Sequence, residues 1–123
     1  YPYHEKVLGE FKRTGDLLPA VSRFGRVAPS GILRYRGKHL GDEYTNDLFH
    51  AQFNTHRVVR TKLTRKGASF TSVDEDFLVS ENQDVHLTDV IEDADGSLLV
   101  VDTGGWFRIG CPNSQIAKPD ILG

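Results

Sequence analysis

The chain has 123 residues, enough for one domain with a core of its own. At 38% hydrophobic and 26% charged residues it reads as a soluble globular protein, and no apolar run approaches the roughly 20 residues needed to span a bilayer. Its net charge of −2 hides an asymmetry: residues 1–67 carry 13 Lys or Arg against 6 Asp or Glu, whereas residues 68–102 carry 10 acids and no base.

A basic half invites a nucleic-acid reading. The bases are scattered among strand-like alternations with few aromatics between them, so a solvated face complementing the acidic half across a strand interface is expected, and no nucleic acid. Cys111 stands alone, which excludes an internal disulfide framework and a cysteine zinc cluster. There is no methionine, so a chain starting at Tyr1 reads as processed, trimmed or partial, and Tyr1–Glu10 lacks the charged and apolar regions of a signal peptide.

Residues 1–28 read as an irregular connection. Tyr3–Arg13 holds at most a turn or two of helix, cut short by Gly9 and by Thr14–Gly15–Asp16. Strands begin after Pro29. Gly31–Gly37 is the first, bounded by glycines. Asn46–Asp47 signals a turn into Leu48–Phe53, and Asn54–Thr55 breaks that run. Arg57–Thr64 alternates with period two, placing Val59, Thr61 and Leu63 on one face and Arg60, Lys62 and Thr64 on a solvated one. Arg65–Lys66–Gly67 turns into a polar outer strand, Ser69–Val79. Four consecutive strands joined by short turns make a meander.

The pattern then restarts. Leu87–Glu92 and the apolar Leu98–Val101 flank Asp93–Ala94–Asp95–Gly96, a hairpin turn. The continuous apolar run predicts burial on both faces of the last strand. A four-stranded sheet followed by half of another is the repeat logic of a propeller, so the expected class is all-β: a partial β-propeller of about one and a half four-stranded antiparallel blades. Residues 29–80 would be a complete blade and 81–123 the first half of the next with an extended loop. Such a piece leaves apolar faces open for the remaining blades or for other chains.

Several strings resemble the glucose/sorbosone dehydrogenase family of six-bladed propellers. They are Ala28–Pro29–Ser30–Gly31–Ile32, Tyr35–Arg36–Gly37, Asp47–Leu48–Phe49, and Thr88–Asp89–Val90 leading into Asp93–Val100. Phe53–Asn54–Thr55–His56–Arg57–Val58 and Asp102–Thr103–Gly104–Gly105–Trp106, followed by Cys111–Pro112, resemble its membrane-bound dehydrogenase branch in planctomycete-type bacteria. The resemblance covers roughly residues 10–123. It implies a periplasmic or secreted protein that oxidises a sugar or polyol with pyrroloquinoline quinone. In that branch the propeller is often joined to a c-type haem domain, and this chain has no Cys-x-x-Cys-His attachment motif.

In the family a histidine removes the hydroxyl proton and arginines grip the quinone carboxylates. The residue types suit the tasks, since imidazole titrates near neutral pH and guanidinium binds carboxylate bidentately. The expected catalytic residues are therefore His56 and His86, with Asn54, Arg57, Asp89, Asp102, Gly104 and Trp106 for cofactor or substrate. The chain departs from the family where Arg-x-Arg-Asp-Val is common, because His86 and Thr88 replace the two arginines. A non-catalytic propeller serving a larger assembly is the alternative.

Each candidate also has a plainer reading. Asn54, His56 and Arg57 suit a turn whose side chains bond the backbone. His86 and Asp89 suit an imidazole–carboxylate pair only if the strand bends between them. Trp106 fits a pocket wall or a cap on the blade interface. His50, in an apolar strand, is expected to be a satisfied core histidine. Asp93 and Asp95 read as a turn rather than a calcium loop.

Overall fold

In the computed structural model residues 5–12, 14, 15 and 18–104 are described. The chain is all-β. One short helical turn, Glu5–Leu8, precedes the strands. Strands β1 (Pro29–Arg34), β2 (Leu48–Gln52), β3 (Arg57–Lys66) and β4 (Ser69–Val79) form an antiparallel sheet in sequence order. Strands β5 (Leu87–Glu92) and β6 (Leu98–Asp102) form a second, two-stranded antiparallel sheet. No helix among the described residues is long and apolar enough to cross a membrane.

The turns follow local chemistry. Asn46 before β2 has φ 74° and Gly67 between β3 and β4 has φ 60°. Asn and Gly tolerate that left-handed region best. In the β5–β6 turn Gly96 has φ 84°, Asp93 Oδ1 accepts from Ala94 N and Asp95 Oδ1 accepts from Ser97 N. These are the self-capping bonds expected of Asp in a turn.

One face of the four-stranded sheet packs on the two-stranded sheet. Tyr35, Phe49, Ala51, Val58, Leu87 and Val90 form the buried layer between them. Polar bonds fix how the sheets meet. The Tyr35 hydroxyl donates to Gly96 O at 2.7 Å, Ser30 Oγ donates to Leu87 O at 2.9 Å and Arg36 N donates to Glu92 Oε2 at 2.9 Å. At Gly31, beside an irregular register step in β1, the strand runs so close to β5 that a Cβ would lie 2.5 Å from Asp89 Cα. Backbone cannot yield there as a flexible side chain would. Gly31→Ala is expected to cost about 1–3 kcal/mol, the usual range for overpacking. Urea unfolding of the two proteins checks it, and an unchanged midpoint would refute the close approach.

Two burial expectations are corrected. Val58, Val59, Arg60 and Thr61 of β3 are all buried, whereas the strand from Lys62 onward is exposed on both sides. Alternation along β3 therefore does not divide core from solvent; distance along the strand does, because β3 and β4 run past the other elements. In β6 the reverse holds. Leu98 and Val100 pack on the core, while Leu99 is 49% exposed and Val101 is also exposed. With only β5 beside it, β6 buries one face. The expected charge complement across strands is present: Arg57 meets Asp76, and Arg60 and Lys62 meet Glu75, each between β3 and β4.

His50 is buried, at 7% exposure, with its ring 4.8 Å from Phe24. Contrary to expectation it is not satisfied, because Nε2 has no hydrogen-bond partner. Burial lowers its pKa from the usual 6.5, against a smaller opposing pull from the Asp74 charge. Below 6.5 the unfolded chain takes up a proton that the folded chain resists, so stability falls with pH from 6.5 down to the lower folded value. His50→Leu is expected to flatten that slope. Urea midpoints of both proteins between pH 7 and pH 5 check it, and parallel curves would refute it.

Candidate functional site

The connection between β2 and β3, residues 53–56, carries most of the expected polar residues. Asn54 faces the incoming segment: its Oδ1 accepts from Ala28 N at 2.7 Å and its Nδ2 donates to Arg26 O at 3.1 Å. That is a backbone clamp, the plainer of its two readings. His56 has φ 55°, an uncommon conformation for a residue with a Cβ. Its ring reaches the segment leading into β5, where Nδ1 lies 2.5 Å from Val85 O.

That leading segment presents His86, buried at the mouth of β5. The Asp102 carboxylate at the end of β6 holds the place together, since its Oδ1 accepts from His86 N and from Gly104 N, each at 2.8 Å. Thr103 N donates to His86 O at 3.0 Å. The His86 Nδ1 lies 3.2 Å from Asp84 O and 3.1 Å from Gly104 O. Its ring stands 4.5 Å from Phe53 and 5.5 Å from the ring of His56, edge on.

The two histidines, 30 positions apart in sequence, are thus neighbours, and Asp102 and Gly104 hold His86. Phe53 and Val85 belong to the same cluster without having been singled out as site residues. A carbonyl oxygen can only accept, so each Nδ1 carries a proton and the basic lone pair of a neutral ring is left on Nε2. An imidazole fixed in this way can take a proton from a hydroxyl. His86 is buried, whereas half-exposed His56 is the ring that solvent can reach.

Two expected partners, Arg57 and Asp89, lie elsewhere. Arg57 Nη1 binds both carboxylate oxygens of Asp76, at 2.8 and 3.0 Å. Asp89 Oδ1 accepts from Val90 N at 2.8 Å and stands against Gly31, while the His86 ring Nδ1 faces carbonyls and Asp102 bonds His86 only at its backbone N, so the expected imidazole–carboxylate pair is not formed. Trp106 lies outside the described residues.

A quinone bearing carboxylates needs cations around it. The groups gathered at the histidines are instead acceptors: the carbonyls of Asp84, Val85 and Gly104 and the carboxylate of Asp102. Arg57 is held by Asp76, and Arg60 by Asp47 and Glu75. The described residues therefore do not fit such a cofactor. Among them, no three His, Cys, Asp or Glu side chains converge as metal ligands. Comparisons with protein-family models, with curated proteins and with solved structures find no match.

Proposed function

We propose that the chain is a piece of a dehydrogenase-like β-propeller, about one and a half blades, in which His56 is the base toward a hydroxyl of a sugar or polyol. The observation that carries this is the His56 ring, tethered at Nδ1 to Val85 O and braced by His86. Residues 29–80 are read as one blade and 81–123 as the start of the next. Because the groups around the histidines repel carboxylates, the residues that grip a quinone belong to other blades, and no hydride step is assigned to this chain. A periplasmic or secreted setting follows from the resemblance.

Exposed Ile91, Leu99 and Val101 favour a second reading, a non-catalytic propeller piece within an assembly. These three side chains share one face of the β5–β6 sheet by register. The test uses the chain together with the remaining blades of the propeller, with added pyrroloquinoline quinone, a dye acceptor, and a panel of aldoses and polyols. Dye reduction that disappears in His56→Gln, in a variant that still binds the quinone, supports the base. Absence of both quinone binding and dye reduction sinks the oxidation reading and leaves the assembly one.

A further inference from the structure

On the other side of the four-stranded sheet, a cleft of about 420 Å³ opens between the 18–28 segment and β2–β4. Its volume falls in the range of small-ligand sites, roughly 300–1,000 Å³. Phe24, Val27 and Val59 give it apolar walls, and Gln52, Arg57, Asp74 and Asp76 its polar groups. Register explains the assembly: Gln52 pairs with Arg57, Val59 with Asp76, and Thr61 with Asp74.

Two features have no internal explanation. Gln52 is 2% exposed, its Oε1 is taken by Thr55 Oγ1 at 2.7 Å, and its Nε2 has no hydrogen-bond partner. A buried amide left unpaired costs about 1–3 kcal/mol, and an oxygen acceptor in the cleft would recover it. Asp74 is the second feature. Asp76 has Arg57, and Glu75 has Arg60, but Asp74 accepts only from hydroxyls: Thr61 Oγ1 at 2.6 Å, Ser22 Oγ at 3.1 Å and Ser72 Oγ at 3.3 Å. Among the described residues no cation neutralises it.

We propose that this cleft binds an aminated polyol, with its ammonium on Asp74, a hydroxyl oxygen on Gln52 Nε2 and its carbon chain along Phe24. Asp74 and Asp76 against one guanidinium disfavour an anion. A neutral polyol would satisfy Gln52 and leave Asp74 as it is. The site is separate from the His56–His86 cluster and does not rest on the oxidation reading.

A matched series tests it: glucamine (1-amino-1-deoxysorbitol), sorbitol and gluconate share a hydroxylated chain and differ in charge. Each is titrated into the full isotope-labelled chain while the Gln52 side-chain amide signal is followed. Saturable shifts are expected with glucamine, at least tenfold weaker binding with sorbitol, and none with gluconate. Asp74→Asn keeps an acceptor for Thr61 and is expected to bring glucamine down to the affinity of sorbitol. In Gln52→Leu, which fills the same space and lacks that amide, the Asp74 backbone amide is followed instead, and binding of both glucamine and sorbitol is expected to be lost. Equal binding of sorbitol and glucamine, tighter binding of gluconate, an unaltered Asp74→Asn, or no shift with any of the three would each overturn the proposal.

Discussion

Arg60→Ala is expected to destabilise the chain by about 3–5 kcal/mol, the cost of breaking a buried ion pair from one side. The Arg60 side chain is 5% exposed and that of its partner Asp47 13%. Nε and Nη2 both reach Asp47 Oδ2 at 2.6 Å, Nη1 reaches Glu75 Oε1 at 2.7 Å, and Nη2 also donates to Glu43 O. The guanidinium carbon sits 3.9 Å above the Tyr44 ring. Burial alone would lower the pKa of Arg60, but the hydrogen bonds and charges of Asp47 and Glu75 outweigh it and hold the pKa above its ordinary value. Removing the arginine leaves the Asp47 carboxylate desolvated with nothing to answer it. Glu75 is half-exposed and contributes less to the loss, since water replaces its partner. The double variant Arg60→Met with Asp47→Asn removes both charges and is expected to recover part of the stability. Urea unfolding measures all three proteins. A loss below about 1 kcal/mol in Arg60→Ala would mean that water already screens the pair.

The same arginine shows where sequence reading stops. Alternation along Arg57–Thr64 places Arg60 on a solvated face, which suits a charged residue on a half-buried strand. What buries it is Tyr44 and Asp47, more than ten positions away. Strand positions were legible because turn residues mark them locally. Ser69–Val79 and Leu87–Glu92 agree at both ends with β4 and β5, and the others agree to within a few residues. Burial is a long-range property, so β3 and β6 were misjudged.

The candidate site divides in the same way. His56, His86, Asp102 and Gly104 each stand out by residue type and setting. Their meeting depends on how one sheet docks on the other, which no local pattern encodes. That the His86 ring meets carbonyls instead of Asp89, with Asp102 on its backbone N, depends on it too. Two signals for the cleft were present in the sequence, a polar Gln52 next to apolar Ala51 and the acidic run Asp74–Glu75–Asp76. Neither says that the Gln52 amide would be left without a partner.

Phe49 sits in the buried layer between the sheets, and Phe49→Ala is expected to cost about 3–5 kcal/mol. The ring is fully buried. Its centroid lies 4.8 Å from that of Phe77 and 6.0 Å from that of Tyr35, both edge on, and 6.4 Å from that of Tyr44. Truncation loses the transfer free energy of the ring and leaves a cavity walled by three aromatics, which fit one another through that ring and cannot all close on the gap. Against a total stability of about 5–15 kcal/mol for a domain, such a loss unfolds a marginal chain and loosens a robust one. The His56–His86 contact is made across this interface, so it should weaken with the core layer. Phe49→Leu keeps more of the volume and is expected to lose less. Urea unfolding gives the stabilities, and contacts between the two imidazole rings, observed by NMR, show whether the sheets remain docked. A small loss for Phe49→Ala with the ring contact intact would mean that the polar bonds at Ser30, Tyr35 and Arg36 hold the sheets together without the aromatic layer.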